Sequence, residues 1–232
     1  MQPLLKKLLK SLLLTAASLG ILAGSWWLGA WLAGVRAECL VSNTARLALV
    51  LVTMVGFFLP PLVLSRMPNI YSKGDGSDQR RDLIVPVCTL LGLLIGVGSP
   101  MTDAAGFAPL PGGDALRWTG VALYTLGFVL MIWAPAHLGK QFSIHVTLQE
   151  GHELVTTGPY ALMRHPRYTG CILWAAGAPL AFLSLPGLLL ALPYCVLLAW
   201  RTYNEEAMLS GHFKEAWRAY SARTKRLVPF LY

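Results

Sequence analysis

The chain has 232 residues, of which 55% are hydrophobic and only 13% charged, with a mean hydropathy of +0.55. So few charges cannot clothe a soluble globule of this length, which excludes a cytosolic domain and points to an integral membrane protein. The net charge of +8 fits the same class as an inner-leaflet excess of Lys and Arg. With no basic stripe interleaved with aromatics and no nucleic-acid motif, no nucleic-acid partner is expected.

Four apolar segments occupy the first part of the chain: Leu12–Val35, Leu47–Leu64, Leu83–Pro100 and Trp118–Leu138. Each approaches the roughly 20 residues that a helix needs to cross the hydrocarbon core. Lys6, Lys7 and Lys10 precede the first, as in a secretory signal. Its apolar run exceeds the roughly 7–15 residues of a signal's core, and a second span follows at once, so a retained helix is expected. Gly20-xxx-Gly24 and Gly92-xxx-Gly96 predict tight helix packing within the monomer. Cys39, Cys88, Cys171 and Cys195 form no CxxC pair and read as small buried hydrophobes.

A polar, turn-rich island, GHELVTTGPYALMRHPRYTG, interrupts the apolar chain at Gly151–Gly170. It combines Thr156, Thr157, Tyr160, Arg164, His165, Arg167 and Tyr168 with helix-breaking glycines and prolines. Such a segment predicts irregular backbone at a membrane surface, with hydrogen-bonding groups available to a polar ligand. His145, Glu150, His152 and Glu153 have no metal-ligand spacing, so no metal site is expected. His137 and His212 read as residues at helix ends. No GxGxxG follows a strand pattern, so a cofactor would have to be held by helices and the loops between them.

The next apolar run, Cys171–Trp200, is too long for one span and too short for two full ones, and Pro179, Pro186, Gly187 and Pro193 break it. A hairpin of two short helices turning near Ser184–Gly187 resolves the mismatch. Charge placement agrees. With six membrane helices and both termini inside, Lys6, Lys7, Lys10, Arg66, Lys73, Arg80, Arg81, Lys140, Arg164, Arg167 and the basic C-terminal tail share the cytoplasmic side, leaving Arg36, Arg46 and Arg117 opposite.

A second polar concentration, RTYNEEAMLSGHFKEAWRAY, begins where the hairpin ends. Arg201 and Glu205 lie one turn apart on the same helical face, and Glu206 points about 100° away. Taken alone, this is a helix leaving the membrane with an exposed ion pair and an apolar face of Leu209, Phe213, Trp217 and Tyr220.

Taken together, LVTTGPYALMRHPRYTG, the following hairpin, the R-x-x-x-E-E helix and the terminal F-x-x-x-W-x-x-Y ending in RLVPFLY resemble the isoprenylcysteine carboxyl methyltransferase family. That family belongs to a wider group of integral membrane methyltransferases that includes phospholipid N-methyltransferases. The resemblance runs from about His137 to Tyr232, dividing the chain into transmembrane helices at 1–136, a candidate substrate-access region, and a methyltransferase-like region at 137–232. It implies an all-α membrane protein of the inner membrane, with a cytoplasmic loop and C-terminal helix that bind S-adenosylmethionine. On the matching positions, His152, Leu154, Val155, Tyr160, His165, Pro166, Tyr168 and Glu205 are implied to contact that cofactor, with Gln149 as a stand-in for a family glutamine. Arg201 is implied to engage the substrate, and Glu206 completes the catalytic pair. The implied acceptor is lipophilic or amphiphilic: a prenylcysteine-like carboxylate, a lipid amine or a thiol, the last two needing a base such as His165. An NADPH-dependent membrane reductase resembling sterol reductases is the alternative, with only Arg164 and Arg167 in the island to meet a 2′-phosphate. A non-catalytic membrane scaffold or haem-handling protein is a third reading, and it leaves the island unexplained.

Overall fold

Each long apolar segment forms a helix, because in lipid the backbone must satisfy its own hydrogen bonds. The computed structural model describes residues 2–36, 38–63, 83–139, 142 and 153–227. Within these, α1 spans Gln2–Leu32, α2 Thr44–Val63, α3 Ile84–Ala104, α4 Gly113–Leu138, α5 Pro166–Ala181 and α6 Leu185–Arg223, with a 3-10 turn at Gly158–Ala161. Among the described residues the regular structure is helical. All of these helices but α5 are long and apolar enough to cross a membrane; α5 has 16 residues, about 24 Å of rise.

The expected hairpin is present, with its turn at Phe182–Ser184. Leu183 takes a positive φ of 49°, and the Ser184 hydroxyl accepts from the Gly187 amide at 3.0 Å, capping α6. The limbs differ from expectation at both ends. The first begins inside the island at Pro166, where the missing N–H of proline costs nothing. The second is not short: α6 runs without a break from Leu185 to Lys214, about 43 Å and well beyond the hydrocarbon thickness, kinks at Lys214 (φ 46°, ψ −112°) and continues to Arg223. Its apolar part ends at Trp200, so the acidic pair lies on the same rod beyond the apolar zone.

The tightest packing joins α4 to α5, and its glycines are not those singled out above. A Cβ on Gly120 would lie 2.2 Å from the Ala181 nitrogen, and one on Gly127 would lie 2.7 Å from the Gly170 oxygen. From the other side, a Cβ on Gly177 would lie 2.5 Å from the Tyr124 nitrogen. Among the described residues a Cβ on Gly20, Gly24 or Gly96 would meet nothing within 4 Å, and one on Gly92 would make only an ordinary contact with the Trp174 ring at 3.7 Å, so the expected close packing there is not observed. Backbone contact between α4 and α5 uses glycines seven residues apart on each helix, two turns rather than one.

At the end of the bundle away from the island, a buried charge cluster ties five helices together. Asp103 of α3 receives a bidentate pair from Arg117 of α4 (2.8 and 2.8 Å) and Arg46 Nε of α2 (3.0 Å). Arg117 also donates to the Ala181 carbonyl at the end of α5 (2.8 Å), and Arg46 lies 4.4 Å over the Trp26 ring of α1.

Candidate active site

Pro166 sets the site's frame by starting α5 directly after His165, so that His165 and Tyr168 project from the first turn, with rings 5.7 Å apart. Upstream, the island turns at Gly158, whose φ of +59° suits glycine, and a Cβ there would lie 2.6 Å from the His137 ring. His137, at the end of α4, is paired with Thr157 at 2.9 Å. Tyr160 is buried, its hydroxyl pointing to the Ala134 carbonyl at 3.4 Å and its own carbonyl accepting from Tyr220 of α6 at 2.8 Å.

The end of the described chain closes over the island. The Arg164 and His165 amides donate to the Lys225 and Arg226 carbonyls (2.8 and 3.0 Å), and the Thr169 hydroxyl donates to the Leu227 carbonyl (2.7 Å). Side chains lock the same contact. Glu206 accepts from Arg164 Nε (2.7 Å) and Arg226 Nη2 (2.7 Å) and pairs with His165 Nε2 (3.2 Å). Arg164 also donates to the Ser221 and Thr224 carbonyls. Burial alone would raise the Glu206 carboxyl, but hydrogen bonds from His165, Arg226 and Arg164 outweigh it and hold the group well below the ordinary carboxylate range.

Glu205, one residue earlier, has a different environment. Among the described residues its Oε2 is buried without a hydrogen-bond partner, 4.0 Å from His165 Nδ1. Burial, and then the negative charge of Glu205, push the Tyr160 phenol above its ordinary range. One turn back, Arg201 is 4% exposed, so it is no surface partner of an exposed ion pair; its Nε donates to the Tyr168 hydroxyl at 2.9 Å. Arg201, Arg167 and Tyr168 stand at the polar end of a cavity of about 710 Å³ that runs among the helices past Phe128, Trp174 and Leu198.

The structure thus brings Tyr160, His165, Tyr168, Arg201, Glu205 and Glu206 to one end of the bundle. Pro166 is buried, and Leu154 and Val155 are half-buried in the irregular stretch before the turn. Gln149 and His152 lie outside the described residues, as do His145 and Glu150. Sequence reasoning missed Arg226 as a site residue, using it only as a topology signal. The one hint available was an acidic pair on two helical faces, since only one member can share Arg201's face.

Residues 115–216 match the phospholipid methyltransferase family, a match that begins upstream of His137, where the sequence resemblance was placed. A probable protein-S-isoprenylcysteine O-methyltransferase of Oryza sativa subsp. indica is 28% identical over 138 residues, covering 56% of this chain and 70% of that protein. The protein-S-isoprenylcysteine O-methyltransferase of Homo sapiens is 32% identical over 120 residues, covering 50% of this chain and 42% of that one. Among solved structures, a eukaryotic intramembrane Ras methyltransferase shares the fold with a TM-score of 0.56 at 21% identity, over 94% of this chain and 75% of that one. The fold likeness therefore includes N-terminal helices in which the sequence carried no signature. These matches favour methyl transfer over reduction: the chain is an integral membrane methyltransferase, similar in sequence to the isoprenylcysteine O-methyltransferases.

Proposed function

We propose that the protein methylates the carboxylate of a lipophilic acceptor, using S-adenosylmethionine held between the island and α6 on the cytoplasmic side. The observation that carries this reading is the orphaned Glu205 Oε2, a buried acceptor one turn from an arginine that lines an apolar cavity. An unmet carboxylate oxygen in a protein interior is costly, and a ligand's hydroxyl or amine would meet it. Glu205 with Tyr160, His165, Pro166, Tyr168, Leu154 and Val155 would form the cofactor's seat, with Gln149 and His152 added from the preceding segment. When bound, the cofactor supplies a methyl group on a cationic sulfonium; its transfer to a carboxylate oxygen forms an ester and leaves a neutral thioether.

The chain's own part is binding and orientation. Arg201, fixed by Tyr168, brings a planar guanidinium suited to an acceptor carboxylate to a cavity that is otherwise lined mainly by apolar side chains. Both nitrogens of His165 face carboxylates of α6, Glu206 at 3.2 Å and Glu205 at 4.0 Å, which hold the ring between the island and that helix. A carboxylate acceptor has no proton to give up, and this favours it over an amine or thiol. Glu206, with its two oxygens engaged by three side chains, acts as a positioning residue that joins α6, the island and the C-terminal segment.

Calorimetry on the detergent-purified protein tests the reading. S-adenosylmethionine should bind, and Glu205→Gln should weaken it by about 1.5–3 kcal/mol, the value of a hydrogen bond to a charged group. Tight NADPH binding with no heat from S-adenosylmethionine would reverse the conclusion.

A further inference from the structure

The cavity continues past Arg167 and Arg201 to α1, where Lys6, Lys7 and Lys10 complete its wall. Lys10 lies one turn beyond both Lys6 and Lys7, and Leu14, also on the wall, lies one turn beyond Lys10. The face that α1 turns toward the cavity therefore changes from cationic to apolar with depth. Among the described residues, these three lysines and two arginines line the cavity and no carboxylate does. Stacking like charges on one helical face works against the helix. The inner-leaflet bias accounts for lysines at this end of α1, but not for their sharing a cavity with a buried arginine.

We propose that the α1 lysines determine which acceptor is taken. The preferred acceptor is an amphiphile with its tail among Phe128, Trp174 and Leu198, one carboxylate at Arg201 and a second anionic group held at the lysine rim. Positive charge next to the reacting carboxylate is correspondingly disfavoured. Which group is methylated rests on the function proposed above; the charge preference in binding does not.

Two probes with identical tails test this, N-acetyl-S-farnesylcysteine with one carboxylate and N-succinyl-S-farnesylcysteine with two, in uncharged detergent. The unaltered chain should bind the second about tenfold more tightly, and added salt should shrink that ratio. In the Lys6→Gln, Lys7→Gln, Lys10→Gln variant the ratio should fall to about one, with affinity for the acetyl probe and for S-adenosylmethionine kept. Equal affinities in the unaltered chain overturn the proposal, whatever the variant's yield, and so does a ratio that survives in a folded variant. Methyl transfer is read separately: preference without transfer refutes the methyltransferase reading alone, and transfer without preference refutes this one alone.

Discussion

Replacing Glu206 by glutamine tests whether the C-terminal segment is held by charge. The side chain is 11% exposed and has two arginines at 2.7 Å and an imidazole at 3.2 Å. Glutamine keeps the volume but removes the charge and turns one acceptor into a donor facing a cation. Breaking a buried pair costs about 3–5 kcal/mol. Arg226, at 20% exposure, keeps some access to water, which puts the cost near the lower end, about 3 kcal/mol, or roughly a hundredfold in an opening equilibrium. The opening should appear where the segment docks, so hydrogen exchange at the Arg164 and His165 amides should accelerate about a hundredfold while α4 amides stay unchanged. Acidity should mimic the substitution. The native carboxyl is held below its ordinary value, so its contribution is complete above about pH 4.3 and is lost as the pH falls below that toward the native value. The difference between unaltered and substituted protein should therefore narrow below about pH 4.3. Unchanged exchange at both amides in Glu206→Gln would refute the reasoning.

Arg201→Ala should abolish most methyl transfer with little change in S-adenosylmethionine affinity, and Arg201→Lys should recover only part of the rate, because lysine lacks the planar fork; steady-state turnover beside calorimetry decides, and full activity in the lysine variant would reduce Arg201 to an interface anchor. Gly120→Ala should sharply lower the yield of folded protein by size-exclusion in detergent, because its methyl meets α5 backbone at 2.2 Å, whereas Gly24→Ala should be neutral. Asp103→Asn leaves Arg46 and Arg117 without their shared counter-charge and should destabilise by about 3–5 kcal/mol, seen as a lower thermal midpoint with S-adenosylmethionine affinity retained.

Membrane class and helix positions were legible because they depend on composition and run length. The hairpin was legible too, but its turn was displaced: Pro186 and Gly187, read as breakers, lie inside the first turn of α6, where proline is tolerated and Ser184 supplies the cap. The packing glycines were not legible from a three-residue spacing, because α4 and α5 meet through glycines seven apart. Tyr160, His165, Tyr168 and Glu205 stood in recognisable strings, and the structure brings them to one end of the bundle. The partners of Glu206 were hidden for a different reason. Arg164 is 42 positions before it and Arg226 is 20 after it, and no local periodicity links a loop, a helix and a tail.

Because α6 is a single rod through this region, it acts as a ruler. Leu198 on the cavity wall, Arg201, Glu205 and Glu206 stand at fixed axial steps of about 1.5 Å and fixed turns of about 100°. Adding or deleting one residue between Arg201 and Glu205 would swing every later side chain by about 100°, detaching the cavity arginine from both carboxylates at once. Evolution can therefore vary the walls contributed by α1 to α3 to suit new acceptors. The phase of this short stretch of α6 must stay constant wherever the same chemistry is kept.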